Sequence, residues 1–249
     1  LLQPSRNIVT TRKLISGMAA DTEKYNTAVI GSPIPSWTSF ALLDAIVRQF
    51  GLQPTERSFG NYMATLNQFL LANRDKVSTL IIDDAQNLNK RGQLELLRLA
   101  QNLETPQHKL LNLVFFGQLE WQQVLAAAPN FAQRINLTYT LQPLALDEVA
   151  DFIQFRLHRA GAQPERGPDF TETAIAMIHA YSGGNPRVIV TMCRNALVLA
   201  TQLGTLRVDD EIVLHTIDKT MLNEPEKRAR AVRCMDVEQP KQETESIVH

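Results

Sequence analysis

The sequence predicts an α/β fold, in which a mostly parallel sheet with crossover helices is followed by a small all-helical part. Two observations predict it. Over the first 143 residues, short apolar runs that end in polar or turn residues alternate with segments of helical periodicity. After Pro143, helical segments follow one another without an apolar run of strand type between them. The 249 residues, 44% of them hydrophobic, are enough to bury the core that such a fold needs.

Apolar runs of strand length mark the predicted strands. They cover 27–30 before Gly31, 79–82 before Asp83, 111–116 before Gly117, the pair Leu1-Leu2, and 137–141. The predicted crossover helices carry Leu, Ile, Val and Phe three and four residues apart, which gives each helix one buried stripe. These helices cover 37–50, 62–74 and 92–102.

The predicted second part consists of consecutive helices at 146–159, 171–181, 186–203 and 209–221. We therefore predict an α/β core at 1–143, a helical lid at 144–222 and a charged tail at 223–249. The tail is expected to be disordered, because its sequence is charged and has few apolar residues that could form a core.

Composition argues against several classes of function. A formal net charge of −1 provides no overall attraction to nucleic acid or anionic lipid. Cys193 and Cys234 fit no metal-ligand spacing and suit a reducing cytosol. No apolar run approaches the roughly 20 residues that span a bilayer, so we expect a cytoplasmic protein, with the inner face of the membrane as a second location. The sequence begins at Leu1 rather than Met, which is consistent with further residues upstream.

Two carboxylates, Asp83 and Asp84, directly follow the predicted strand 79–82. The carboxyl ends of parallel strands are where open α/β sheets bind ligands. In nucleotide hydrolases, the first acid at such a place holds Mg²⁺ and the next orients the attacking water. The alternative is that the two acids end a buried strand and cap the following helix. This segment alone leaves both interpretations open.

The run from Ile81 to Leu88, I-I-D-D-A-Q-N-L, resembles the Walker B segment of the ExeA-like (GspA, MshM) AAA-type P-loop ATPases, which typically reads I-I-D-E-A-Q-N-L. Further segments follow in the same order as in that family, at 102–105 (N-L-E-T), 116–118 (F-G-Q), 132–135 (A-Q-R-I) and 183–187 (G-G-N-P-R). The resemblance covers about residues 1–220. It implies a P-loop NTPase core of the AAA type with a helical lid, ATP and Mg²⁺ as cofactors, and oligomers with identical or different AAA subunits.

The resemblance also implies roles for single residues. Asp83 would be the metal-associated acid, Asp84 would take the catalytic position and Gln118 the sensor position. Arg134 would be an arginine finger that reaches a neighbouring subunit, and Arg187 would be the sensor arginine of the lid and contact nucleotide. Both arginines would neutralise charge on the transferred phosphoryl group. The alternatives are a surface role for Arg134 and a bracing role in the lid helix for Arg187.

The expected phosphate-binding loop departs from the family pattern G-x-x-x-x-G-K-[ST]. The eight residues that start at Pro4 read P-S-R-N-I-V-T-T. Pro4 and Val9 stand where the pattern has glycines, Thr10 stands where it has Lys, and only Thr11 matches. Asn7, Thr10 and Thr11 are the remaining candidates to contact nucleotide, with Thr11 also a candidate metal ligand.

These replacements remove the flexible amides and the ammonium group that hold triphosphate, so binding should be weak or absent. Arg6, Arg12 or Lys13 could replace part of the missing charge, but nothing in their spacing demands this, and a surface role is the favoured interpretation. Asp84 is one methylene shorter than the family's Glu, about 1.5 Å, and a misplacement near 1 Å can cost ~100-fold in rate. The sequence therefore predicts a pseudo-ATPase. An error in the sequence across 3–10 is the alternative, and the chain would then be a Mg²⁺-dependent ATPase.

The leading hypothesis for function is an assembly or scaffolding subunit of an envelope machine of the secretion or type IV pilus kind, as the ExeA-like resemblance implies. The alternative is a DNA-binding AAA regulator similar to the transposition proteins TnsC and TniB, with duplex DNA as its partner. A third hypothesis is an interaction module that never oligomerises.

Overall fold

The computed structural model describes residues 15–18, 20–163, 166–220 and 224–235. The predicted strand at Leu1-Leu2 and the candidate residues Asn7, Thr10 and Thr11 lie outside these ranges. The chain divides between Thr140 and Leu141 into two compact units. We call them the sheet unit, which ends at Thr140, and the helical unit, which begins at Leu141.

The sheet unit is built on three parallel strands in the order β1-β2-β3: β1 (Tyr25–Ile30), β2 (Val77–Ile82) and β3 (Asn112–Phe115). Strand β2 lies in the centre and is buried from its second residue to its last. In register, Ile30 pairs with Ile82 and Ile82 with Phe115. The three strands therefore end at the same edge of the sheet, and the residues that follow them meet there.

Besides the helical residues 15–18, the sheet unit contains α1 (Ser39–Gln49), α2 (Phe59–Ala72), α3 (Arg91–Gln101), α4 (Glu120–Ala126) and the single turn α5 (Pro129–Ala132), with a 3-10 turn at Ala85–Asn87. Side-chain caps fix where the first two begin. The Thr38 hydroxyl accepts a hydrogen bond from the backbone N–H of Ala41 (3.1 Å), and the Ser58 hydroxyl accepts one from Asn61 (3.2 Å). The apolar stripe of α1, with Leu42, Leu43, Ile46 and Val47, is fully buried, as its periodicity predicts.

The helical unit contains α6 (Leu146–Arg159), α7 (Glu172–Ser182), α8 (Pro186–Gln202), α9 (Asp210–Thr220) and α10 (Pro225–Val232). Its core is formed by buried side chains from each of these helices. Among the described residues, no helix is both long enough and apolar enough to cross a membrane.

A tight turn between α7 and α8 joins them to the start of the unit. Gly183 and Gly184 both have positive φ, 57° and 72°. The backbone N–H of Leu144 donates to the carbonyl oxygen of Gly184 (2.9 Å). A β-carbon on Gly184 would overlap the Leu144 carbonyl oxygen and lie 2.8 Å from the Leu144 nitrogen, whereas Gly183 has open space there. The second glycine therefore permits a backbone contact that no side chain would allow.

Three predictions differ from the structure. Residues 137–141 form no strand; they hydrogen-bond to no described strand, and Leu137 and Tyr139 are 85% and 80% exposed. An apolar run becomes a strand only where a neighbouring strand satisfies its backbone. The helical unit is not wholly free of strands, because β4 (Asp169–Phe170) and β5 (Arg207–Val208) pair in parallel.

The third difference concerns the tail expected to be disordered from 223. Residues 225–232 form helix α10, which packs against α7 and fully buries Ala231. The small side chain of Ala231 reaches the core of the bundle, and Cys234 and Met235 just beyond the helix pack against the same core. A count of apolar residues over this charged segment does not reveal such docking. The predicted disordered residues 238–245 lie outside the described ranges.

Candidate functional site

Asp83 and Asp84 lie at the carboxyl end of the central strand β2, as predicted. The backbone N–H of Asp83 donates to the Ile30 carbonyl (2.9 Å), which continues the ladder with β1. Its carboxylate accepts from the backbone N–H of Asp84 (3.0 Å). Asp84 has φ 51° and ψ 43°, and among the described residues it is the one non-glycine with positive φ. Aspartate tolerates this left-handed conformation better than most side chains, and here it turns the chain sharply after the strand.

Gln86 connects the acidic turn to the end of the neighbouring strand β3. Its amide nitrogen donates to the Asp84 carboxylate (3.1 Å), and its amide oxygen accepts from the backbone N–H of Gln118 (3.1 Å). A backbone hydrogen bond from Ala85 to the Phe116 carbonyl (2.9 Å) runs beside it. The Asp84 carboxylate is therefore engaged within the protein, and the predicted sensor position is fixed through its backbone.

Gly117 makes this connection compact. A β-carbon at Gly117 would lie 3.0 Å from the Trp121 β-carbon and 3.5 Å from the Gln86 amide oxygen. Trp121 itself stacks at a tilt on Phe115, with ring centroids 5.5 Å apart. The turn after β3 is thus held between an aromatic cluster on one side and the Gln86 amide on the other.

We expect Gln86→Ala to destabilise the sheet unit by about 1–3 kcal/mol, because it leaves the half-buried N–H of Gln118 and the Asp84 carboxylate without their partner. Urea unfolding followed by tryptophan fluorescence measures this, since Trp37 and Trp121 both belong to the sheet unit. The exposed Gln122 provides the matched control, and Gln122→Ala should change stability by less than about 0.5 kcal/mol. Equal stability of the two variants would contradict a bridging role for Gln86.

Burial raises the pKa of Asp83 above its ordinary value of 3.8; the Asp84 N–H opposes this shift and the Asp84 charge adds to it. A half-buried carboxylate beside a second acid is a site that gains from a bound cation. Its hard oxygens suit Mg²⁺, which commonly takes one or two protein carboxylates and completes its shell with water and phosphate oxygens. The donor at Asp83 therefore fits Mg²⁺, the metal that the resemblance implies.

Because the folded state holds a proton on Asp83 more tightly than the unfolded state does, the ionised carboxylate reduces stability above its folded pKa, and that penalty disappears as pH falls. We expect Asp83→Asn to raise the melting temperature at neutral pH. The difference in melting temperature between Asp83→Asn and the wild type should shrink as pH falls through the raised pKa towards 3.8. Melting curves across this range, with Asp75→Asn as the exposed control, test the sign. A lower melting temperature for Asp83→Asn at neutral pH would contradict it.

Arg134 lies in a different part of the sheet unit, on a groove between α3 and the α4–α5 segment. One guanidinium nitrogen of Arg134 donates to the Asn102 side-chain oxygen (2.7 Å). Arg91, Arg98 and Glu95 line the same groove, which has a volume of about 890 Å³. We call it the arginine groove. Neither Asp83 nor Asp84 lines it.

Arg187 belongs to the helical unit, in the first turn of α8. Its backbone N–H donates to the Asn185 side-chain oxygen (3.0 Å), which caps the helix. Within the sheet unit, the structure therefore brings together Asp83, Asp84 and the backbone of Gln118, and places Arg134 on a separate groove of that unit. The described residues contain no group of three or more His, Cys, Asp or Glu that could hold a metal by themselves.

Two residues that hold the predicted ones were not identified from the sequence: Gln86, which contacts Asp84, and Asn102, which contacts Arg134. Gln86 stands three residues after the first acid, so a polar side chain in the turn that leaves a buried strand was the available signal. Asn102 had no such signal, because its contact with Arg134 joins residues 32 positions apart.

Comparison with known proteins agrees with this architecture. Residues 14–125 match the AAA domain family. The chain is 39% identical over 180 residues, 70% of its length, to general secretion pathway protein A of Aeromonas hydrophila, of which this covers 32%. It is 28% identical over 142 residues, 56% of its length, to an uncharacterised HTH-type transcriptional regulator, MJ0774, of Methanocaldococcus jannaschii, of which this covers 34%. The chain thus spans about a third of the length of these curated relatives.

The fold is also that of a solved structure. The Cdc6p protein from Pyrobaculum aerophilum superposes with a TM-score of 0.64 at 20% identity, over 87% of this chain and 58% of that one. One assignment agrees with the parallel sheet, the acidic turn after its central strand, the helical unit and the sequence similarity. The chain belongs to the AAA-type P-loop ATPase family, in the group that resembles general secretion pathway protein A.

Proposed function

We propose that this chain is an assembly subunit of an envelope machine of the secretion or type IV pilus kind, whose AAA module binds nucleotide weakly and does not turn it over. One observation carries the second half of the proposal. The phosphate-loop position reads P-S-R-N-I-V-T-T, with neither the glycines nor the lysine of the family pattern. The similarity to general secretion pathway protein A supports the first half.

The loop chemistry does not fit a triphosphate. Backbone N–H groups wrap phosphates only where glycines allow the chain to turn them inward, and an ammonium group neutralises the β and γ oxygens. Pro4 has no N–H to give, β-branched Val9 resists positive φ, and Thr10 has no charge. With phosphate binding lost, Asp83 alone is a weak metal donor, so we derive no hydrolytic step at this site.

The geometry of Asp84 supports the same proposal. A residue that orients an attacking water needs a carboxylate directed towards that water. The Asp84 carboxylate instead accepts a hydrogen bond from the Gln86 amide. We propose that Asp84 now serves to hold the turn after β2, with Gln118 held opposite it. Arg134 and Arg187 are then proposed as contacts in assembly rather than as groups that meet phosphate. The proposed place of action is the cytoplasmic side of the membrane.

Phosphate release from ATP with Mg²⁺ tests the loss of turnover. We expect the wild-type chain to release phosphate no faster than a buffer blank, and Asp84→Ala to leave that rate unchanged. Asp75→Ala, an exposed acid of the same unit, is the control for preparation-dependent contamination. Release that depends on Asp84 and survives in the Asp75 variant would contradict the proposal.

A second candidate function is binding of duplex DNA, and the similarity to a protein named as an HTH-type transcriptional regulator favours it. Neutralisation of phosphates by basic residues would make such binding fall steeply with salt. The net charge of −1 argues against it. Fluorescence anisotropy with a labelled duplex separates the candidates: the assembly proposal expects no salt-dependent binding, and a steep salt dependence would favour the DNA function.

A further inference from the structure

The arginine groove combines a basic rim with an apolar floor. Arg91 and Arg98 stand on one face of α3, and Arg134 completes the rim. Among the described residues that line the groove, Glu95 is the one carboxylate. Three guanidinium groups therefore face a single carboxylate. The apolar floor is an adjoining pocket of about 540 Å³, which shares Arg91, Glu95 and Arg98 with the groove and adds Leu94, Val124, Ala127, Ala128 and Phe131. Such a surface suits a segment that carries both carboxylates and an apolar side chain.

The positive charge of the groove is only partly neutralised. Arg98 donates from Nε to Glu95 (2.9 Å), and Arg134 is held by the neutral Asn102. Arg91 is exposed and makes no ion pair with a described residue. The Arg98 hydrogen bond lowers the pKa of Glu95 most, and the charges of Arg91 and Arg134 lower it further. The positive electrostatic potential of the groove therefore favours the binding of a second carboxylate.

Helix α6 of the helical unit has the complementary surface. Asp147, Asp151 and Phe155 follow one another at intervals of four residues, which places them on one helical face. Both aspartates are exposed, and Phe155, a large apolar residue, is 61% exposed. Within the described residues, neither aspartate has a hydrogen bond or an ion pair with a neighbour. The second half of the helix carries basic residues, so its acidic character is confined to the first half.

The spacings of the two surfaces are compatible. The aspartates are separated by about 6 Å along the helix and Arg91 and Arg98 by about 10 Å, from a rise of about 1.5 Å per residue. Long arginine side chains can span the difference. A helix that presents anchors at such intervals to an apolar groove is a common mode of protein recognition.

We infer that the arginine groove of one copy receives the Asp147–Asp151–Phe155 face of α6 from a second copy. Asp147 and Asp151 meet the guanidinium groups of the rim, and Phe155 packs on the apolar floor. Because one unit supplies the groove and the other the helix, the contact is heterologous, and each copy can bind one neighbour on either side. The inference deepens the proposed assembly role by naming the surface through which copies associate.

Sedimentation velocity of the full chain without nucleotide tests this contact. We expect the wild-type chain to form concentration-dependent species larger than dimers. Arg91→Glu and Asp151→Lys should each weaken self-association by about tenfold or more, because each places like charges opposite one another. An equimolar mixture of the two variants should associate again, since the exchanged charges complement each other. Neither change should impair folding, as both residues are exposed and an acid in the first turn of α3 suits the helix dipole.

Arg74→Glu and Glu226→Lys, two exposed charge reversals away from these surfaces, are the matched controls and should associate as the wild type does. A wild-type chain that stays monomeric at high concentration would overturn the inference. So would variants at 91 and 151 that associate like the controls, or a mixture that stays dissociated. ATP turnover would contradict the proposed nucleotide chemistry without touching this contact, so the two failures are distinguishable.

Discussion

Replacing Gly184 with alanine is expected to destabilise the helical unit by about 3–5 kcal/mol. Positive φ costs a non-glycine residue about 1–2 kcal/mol, and forcing a methyl group into a packed backbone contact adds typically about 1–3 kcal/mol. The new β-carbon would overlap the Leu144 carbonyl and lie 2.9 Å from the Pro143 β-carbon. It would also break the hydrogen bond from the Leu144 N–H to the Gly184 carbonyl, because the two backbones must separate.

Gly183→Ala is the matched control. Gly183 has positive φ (57°) like Gly184, but a β-carbon there would meet open space. Only the conformational cost of about 1–2 kcal/mol therefore applies to Gly183→Ala. Far-ultraviolet circular dichroism should show early loss of helix in Gly184→Ala, while tryptophan fluorescence, which comes only from the sheet unit, is retained. Equal unfolding curves for the two alanine variants would show that the close approach at Gly184 is unimportant.

Restoring the phosphate loop is expected to restore nucleotide binding. The triple change Pro4→Gly, Val9→Gly and Thr10→Lys recreates the family pattern around the existing Thr11. A hydrogen bond to a charged group contributes about 1.5–3 kcal/mol, so the lysine and the freed amides together should tighten Mg²⁺–ATP binding by about 100-fold or more.

The control for this gain is the double change Pro4→Gly and Val9→Gly, which frees the backbone without adding charge. It should recover only a small part of the affinity. Isothermal titration calorimetry of both variants against the wild type measures the difference. If the triple variant binds no better than the wild type, the loop sequence is not what limits nucleotide binding.

Much of the fold could be predicted from the sequence because its signals are local. The apolar residues 80–82 of the central strand β2 are followed directly by the two acids, and helix α6 begins and ends where its periodicity predicts. The strand predicted at 137–141 was wrong, because strand formation depends on a neighbour that no local pattern reveals. Helix α10 was missed because the side chain that it buries fully is the small Ala231, which a count of apolar residues in a charged segment does not detect.

The site was predicted only in part. The sequence indicated which acids would stand at the sheet edge, because the carboxyl ends of parallel strands coincide there. It did not indicate that Gln86 would link Asp84 to the turn after β3, since that contact spans 32 residues. Nor did it indicate the arginine groove, which two helices and a turn form together from residues between 91 and 134.

Equilibrium titration of the wild-type chain with a fluorescent ATP analogue and Mg²⁺ measures whether the degenerate loop binds triphosphate only weakly, as we propose. We expect no saturable signal at micromolar protein, both for the wild type and for Asp84→Ala. Saturable micromolar binding that unlabelled ATP displaces would contradict it.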